Sequence, residues 1–293
     1  MLQSIIDDVR REFRTGNMVT RLIIVNVVVF IIINVLKLVF RLTNAGKIPE
    51  VYFDIRNFFC VSTSWLHDIT HPWVFITSNF LHEGFFHIFW NMLLFFWFGR
   101  IVGDLIGDRK ILPLYLLGGI FGCLAFFVGM NLPILGSGVE TYALGASASV
   151  MAVIVAAAVI SPDYTLHLLF LGPVKMKYIA IVLVLIDVFA LSPGSGGPIG
   201  HLGGAAFGAI FVGQMRAGRD MSVPVNRFFD RLSGFVGKVK DSGQHNSRKK
   251  KIQVEEEFTH QERVDAILDK IKAKGYESLT KEEKEFLFHA SKK

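Results

Sequence analysis

The chain has 293 residues, 52% hydrophobic and 19% charged, with a formal net charge of +6 and a mean hydropathy of +0.45. These values are high for a soluble domain and ordinary for a chain whose middle lies in lipid. The excess positive charge sits mainly outside the apolar blocks and lacks aromatic-basic interleaving, so it points to anionic lipid head groups and not to nucleic acid. Two cysteines, Cys60 and Cys123, are too few for a framework of disulfides or metal ligands, and Cys123 reads as a buried, inert thiol.

In chain order, a segment over 1–19 carrying Arg10, Arg11 and Arg14 precedes the first apolar block. Leu22 to Phe40, LIIVNVVVFIIINVLKLVF, is apolar on every face apart from two Asn and one Lys. It matches the ~20 residues that cross a bilayer core. It is too long for a signal peptide and has no small-residue cleavage site behind it. Five more apolar segments follow, near 86–105, 111–131, 146–161, 166–191 and 198–215. Gly172, Pro173, Lys175 and Lys177 interrupt the fifth, which leaves 177–191 as its spanning part. The fourth and sixth are short and rich in Ala and Gly, which places them at the centre of a helical bundle, where small residues let backbones approach closely.

Basic residues flank one set of ends: Arg21, Arg100, Arg109, Lys110, Lys175, Lys177 and Arg216, whereas 132–144 and 192–197 carry none. By the positive-inside rule both termini are cytoplasmic. The long connection over 41–85 holds Trp65, Trp73, Phe75, Phe80, Phe85 and Phe86, which suits partial burial in the outer interface. After a linker over 216–258, residues 259–293 carry two short helical patterns. Gly275 ends the first, and Thr280 with Glu283 opens the second as a capping box. This reads as a small soluble hairpin, a candidate surface for a cytoplasmic partner or for self-association.

Polar side chains inside spans are costly and demand a reason. His87 and Asn91 open the second span, Ser147 the fourth and His201 the sixth, so all four lie at one depth in the extracytoplasmic half. Ser147 sits in Gly145-Ala146-Ser147-Ala148, where a loop enters a span and unpaired N–H groups face a developing oxyanion. A serine hydroxyl needs a base, and His201 supplies one if the fourth and sixth spans touch across Gly204 and Gly208. His87 and Asn91, four apart, share a helix face and suit donation to the same oxyanion. Taken singly, Ser147 or Ser149 reads as packing glue and Asn91 as an interhelical hydrogen bond. His82-Glu83 with His87 resembles a zinc-protease pattern, but a five-residue spacing on a helix separates the two rings by about 140°, so no metal site is expected.

These residues, HxxxN at His87 and Asn91, GxS at Gly145 and Ser147, and His201 followed by Gly204 and Gly208, resemble the rhomboid family of intramembrane proteases over about 20–215. His82 and the segment TSNFLHEGFFHIFWNM (Thr77 to Met92) are similar to the family's entry into its second span. The resemblance implies an all-α, six-helix membrane bundle carrying a Ser147–His201 dyad without an acidic third member. His87, Asn91 and the Ser147 N–H would form the oxyanion hole. Substrates would be transmembrane proteins cut in or near their spans, with no cofactor. Two departures stand out: Ala148 replaces the second glycine of GxSG, and Met151 replaces an aromatic ring that often stacks on the histidine. The rival reading is a proteolytically inactive relative that binds transmembrane clients. The expected location is the cytoplasmic membrane of a bacterium.

Overall fold

The computed structural model describes residues 2–241, apart from 137 and 169–171, and a few isolated positions beyond 266. The hairpin expected over 259–293 lies outside the described residues. An N-terminal helix α1 (Leu2–Thr15) leads to α2 (Met18–Thr43). Two side-chain oxygens, one amide and one carboxylate, fix the start of α2: Asn17 accepts the Thr20 N–H at 2.9 Å, and Asp108 accepts the Met18 N–H at 2.8 Å. Both satisfy donors that a helix N-terminus leaves unpaired.

The long connection is not a loop but a chain of short elements: α3 (Glu50–Asn57), β1 (Val61–Ser62), α4 (Trp65–Thr70) and α5 (Val74–Thr77). Trp65, Leu66 and Ile69 stand outward on α4, an apolar face of the kind that suits the membrane interface. Arg56, a basic residue at odds with the charge rule here, pairs with Glu83 at 3.1 Å.

The bundle continues through α6 (Phe85–Ile106), α7 (Ile111–Met130), α8 (Ser147–Ile160), α9 (Met176–Phe189) and α10 (Gly196–Arg216). Strand β2 (Tyr142–Ala143) pairs antiparallel with β1, tying the long connection to the segment before α8. Between α8 and α9 a hairpin forms from β3 (Thr165–Leu168) and β4 (Gly172–Lys175). This is where Gly172, Pro173 and Lys175 interrupt the apolar run, and the spanning part of that run starts at Met176. A last helix, α11, covers Ser222–Asp241.

Among the described residues, three helices are long and apolar enough to cross a membrane by length and composition: Met18–Thr43, Phe85–Ile106 and Asp108–Met130. Outward side chains on α2 and α9, among them Ile31, Ile32, Leu38, Ile181, Val182 and Ile186, are about half exposed. So wide an apolar surface is unusual for a soluble monomer and natural against lipid. The protein is an all-α membrane bundle with small strand pairs at its ends.

Helix α8 is the central one: it packs against α6, α7, α9 and α10, and most of its residues from Ala148 to Ala158 are buried. Helix α10 packs against α7, α8 and α9; it buries the row Gly204, Phe207, Gly208 and Phe211 and exposes Ala206, Ile210 and Gly213 on its other side. A buried polar chain crosses the core: Asn26 of α2 donates to the Tyr115 hydroxyl at 3.1 Å, and that hydroxyl donates to the Asn79 carbonyl at 2.9 Å. With a second bond from Asn26 Nδ2 to the Leu22 carbonyl at 2.8 Å, it leaves this buried amide satisfied.

Candidate active site

Helices α6, α8 and α10 start, and α7 and α9 end, on the same side of the bundle, so their termini converge there. At that side Ser147 and His201 line one cleft, together with Ser78, Gly122, Gly145 and Gly200. The cleft is narrow, about 50 Å³, enough for a few water molecules and not for a peptide segment.

The turn that presents Ser147 is built from outside. The Gly145 N–H donates to the Ser78 carbonyl at 2.8 Å, and the Ala146 N–H donates to Nε2 of His82 at 3.2 Å. Gly145 has φ +126°, and a Cβ on it would lie 2.7 Å from Cε1 of His87, so both backbone conformation and neighbour demand glycine. With these two N–H groups occupied, the donors still free of intrahelical partners begin at Ser147 itself, the first residue of α8.

His82 and His87 do meet, contrary to the expectation drawn from helical spacing. Helix α6 begins only at Phe85, so His82 lies on extended chain and its ring contacts that of His87 edge to face, with centroids 5.0 Å apart. Among the described residues no group of three or more His, Cys, Asp and Glu side chains is placed to hold a metal. His82 is fully buried and serves as an acceptor. Burial, and secondarily the charge of His87, push its pKa down to about 4.

A pH prediction follows. Because the unfolded chain protonates this histidine near its ordinary value and the folded chain resists to about 4, the folded state binds fewer protons across that interval. The contribution of His82 to stability is complete above about pH 6.5. It is lost progressively as the pH falls toward 4. His82→Gln is expected to remove that component of acid sensitivity in thermal melts between these limits. An unchanged pH dependence in the variant would refute it.

Asn91 is buried one turn below His87, and its Nδ2 donates to the His87 carbonyl of its own helix at 2.8 Å. It is therefore not the interhelical bond that its type alone would indicate. Ser149 is fully buried outside the cleft, with its Oγ unpartnered. Ala148 turns its methyl toward Gly122 of α7 and its carbonyl toward Gly204 of α10, so the extra carbon is housed by a glycine on a neighbouring helix. Met151 is buried in the core. Cys60 and Cys123 are both free and buried.

One residue of the site is missing from the sequence reading. Asp187 of α9 lies with Oδ1 2.8 Å from Nδ1 of His201, so the histidine has an acidic partner after all. Its signal was present, since an acid inside the apolar run IAIVLVLIDVF is a residue that demands a reason.

The Rhomboid domain matches residues 70–216, half of the chain, and a family of unknown function, DUF6576, matches 245–293. The chain is 32% identical over 157 residues to RHOMBOID-like protein 12, mitochondrial, of Arabidopsis thaliana, covering 49% of this chain and 46% of that protein. It is 29% identical over 142 residues to Presenilin-associated rhomboid-like protein A, mitochondrial, of Danio rerio, covering 47% and 36%. The chain thus spans less than half the length of either relative. Both are mitochondrial, so they lend no support to a bacterial cytoplasmic membrane. With the domain match extending from the long connection to the end of α10, the chain belongs to the rhomboid family.

Proposed function

We propose that the protein is an intramembrane serine endopeptidase, with Ser147 as nucleophile and His201 as general base and then general acid. The observation that carries this reading is the shared cleft of Ser147 and His201 at the recessed start of α8. Helix α8 has 14 residues, about 21 Å at 1.5 Å each, against a bilayer core of ~30 Å. Its far end is held by Arg216, whose Nη2 donates to the Val159 carbonyl at 2.6 Å, a basic residue that marks the opposite interface. Ser147 therefore lies several ångströms below the membrane surface, where water reaches it only through the cleft.

The substrate would be a transmembrane protein whose span unwinds near its end, since a helical backbone conceals its carbonyls from attack. As the Ser147 Oγ adds to the scissile carbonyl carbon, its proton passes to His201, which later protonates the departing amine. In this reading the oxyanion takes hydrogen bonds from the N–H groups at the start of α8 and from His87. Asn91 keeps a second amide hydrogen beyond the one given to the His87 carbonyl, and is the further donor. Charge placement supports an orientation with the cleft extracytoplasmic: Lys110 with Asp220, and Lys175 and Lys177 with Asp163, all sit at the other end. The family matches over 70–216 and 245–293 support a membrane domain over 20–215 and a separate module over 259–293, joined by a linker over 216–258 in which α11 forms.

Labelling of the detergent-solubilised chain by a fluorophosphonate probe tests the reading. The parent is expected to label, and Ser147→Ala and His201→Ala are not. An unlabelled parent, beside a labelled active relative, would overturn it in favour of a client-binding protein without protease activity.

A further inference from the structure

Asp187 is 8% exposed, and it is a side chain of α9 that meets the site helix α10 through a hydrogen bond. A carboxylate at this depth is expensive unless its charge is engaged. An ionised carboxylate can only accept, so Nδ1 of His201 carries the hydrogen of the 2.8 Å bond. The lone pair of the neutral ring then resides on Nε2, on a ring that lines the cleft with Ser147. That is the tautomer a general base requires.

We infer that Asp187 is the positioning residue of His201, fixing its tautomer and orientation and stabilising the imidazolium formed when Ser147 attacks, so that the site is a triad. The inference rests on the proposed Ser147–His201 pair. When the bond from Ser147 Oγ to the acyl carbon forms, the hydroxyl proton goes to Nε2 and Asp187 remains a carboxylate. When the C–N bond breaks, the same proton leaves with the amine. The turn between α9 and α10 supports the pairing: Ser195 Oγ accepts the Ser192 N–H at 2.8 Å and the Gly194 N–H donates to the Leu135 carbonyl at 2.8 Å, so the two helix ends are held at a fixed approach. Of the other titratable groups near His201, α6 contributes His87, close enough for their charges to couple. The cleft residues of α7 and α8 are Gly122, Cys123, Phe126, Ser147 and Ala148.

The test measures the rate of fluorophosphonate labelling of the full chain for the parent, Asp187→Asn and Asp187→Ala, with thermal stability recorded in parallel. Asp187→Asn is expected to label on the order of 10²–10⁴-fold more slowly, because an amide can also donate to Nδ1 and no longer fixes the tautomer of His201. Asp187→Ala is expected to recover part of its rate when formate is added. Folded variants that label within about threefold of the parent, with no response of Asp187→Ala to formate, would overturn the inference and leave Asp187 as a contact between helices. Failure of both variants to fold, with formate giving no recovery, would overturn it in the same way. A parent that does not label would sink the underlying protease reading, whereas a labelled parent indifferent to Asp187 sinks this assignment alone.

Discussion

Ser147→Ala, His201→Ala and the double variant are expected to lose the same amount of proteolytic activity, on the order of 10⁴–10⁶-fold, with thermal stability close to that of the parent. The two groups act in one event: without the base the hydroxyl keeps its proton, and without the hydroxyl the base has nothing to activate. Once either is gone, removing the other has little left to take. What survives is the contribution of the oxyanion donors and of binding. Ser147 is half-buried at the end of a helix, and His201 lies beside the cleft, so neither truncation opens a large void in the core. The measurement is turnover of a reporter transmembrane segment in proteoliposomes. Losses that multiply in the double variant would show two independent effects, and the pair would have to be abandoned.

Gly204→Val is expected to be the most damaging change outside the reacting groups, costing about 3 kcal/mol or more in denaturant unfolding and abolishing labelling of Ser147. Even a methyl at Gly204 collides with the Ala148 carbonyl, and its distance to Ala148 Cα would be 3.0 Å. Backbone cannot move aside as a side chain can. The helices α8 and α10 would separate, and with them the serine and the histidine they carry. Gly208 repeats the arrangement one turn on, against Ala152. Gly213, on the exposed side of the same helix, meets nothing within 4 Å, so Gly213→Ala is expected to leave stability unchanged or to raise it by up to about 1 kcal/mol. If the two substitutions proved equally harmful, the close approach of α8 and α10 would be the wrong explanation.

These two predictions also mark how far residue patterns carry. The bundle was legible because a bilayer imposes a coarse rule: a span must be apolar on all faces and about 20 residues long. The apolar blocks around Leu22–Phe40, 86–105 and 111–131 satisfy it, and their helices appear within a few residues of those limits. Small residues at Gly204 and Gly208 announced a close approach because in lipid only packing and polar contacts bring helices together. Ser147, His87, Asn91 and His201 were visible as costly polar residues at one depth.

The sequence alone therefore determined the class of fold, the long apolar helices and the candidate reacting groups, all of which depend on local composition and on position along the chain. The tertiary structure decided which groups meet. The ring contact of His82 with His87 depends on where α6 starts, and the housing of the Ala148 methyl on a glycine of another helix. The bond from Asp187 to His201 depends on how the turn between α9 and α10 aims two side chains. Each is set by the relative placement of separate elements, which no periodicity within one of them encodes.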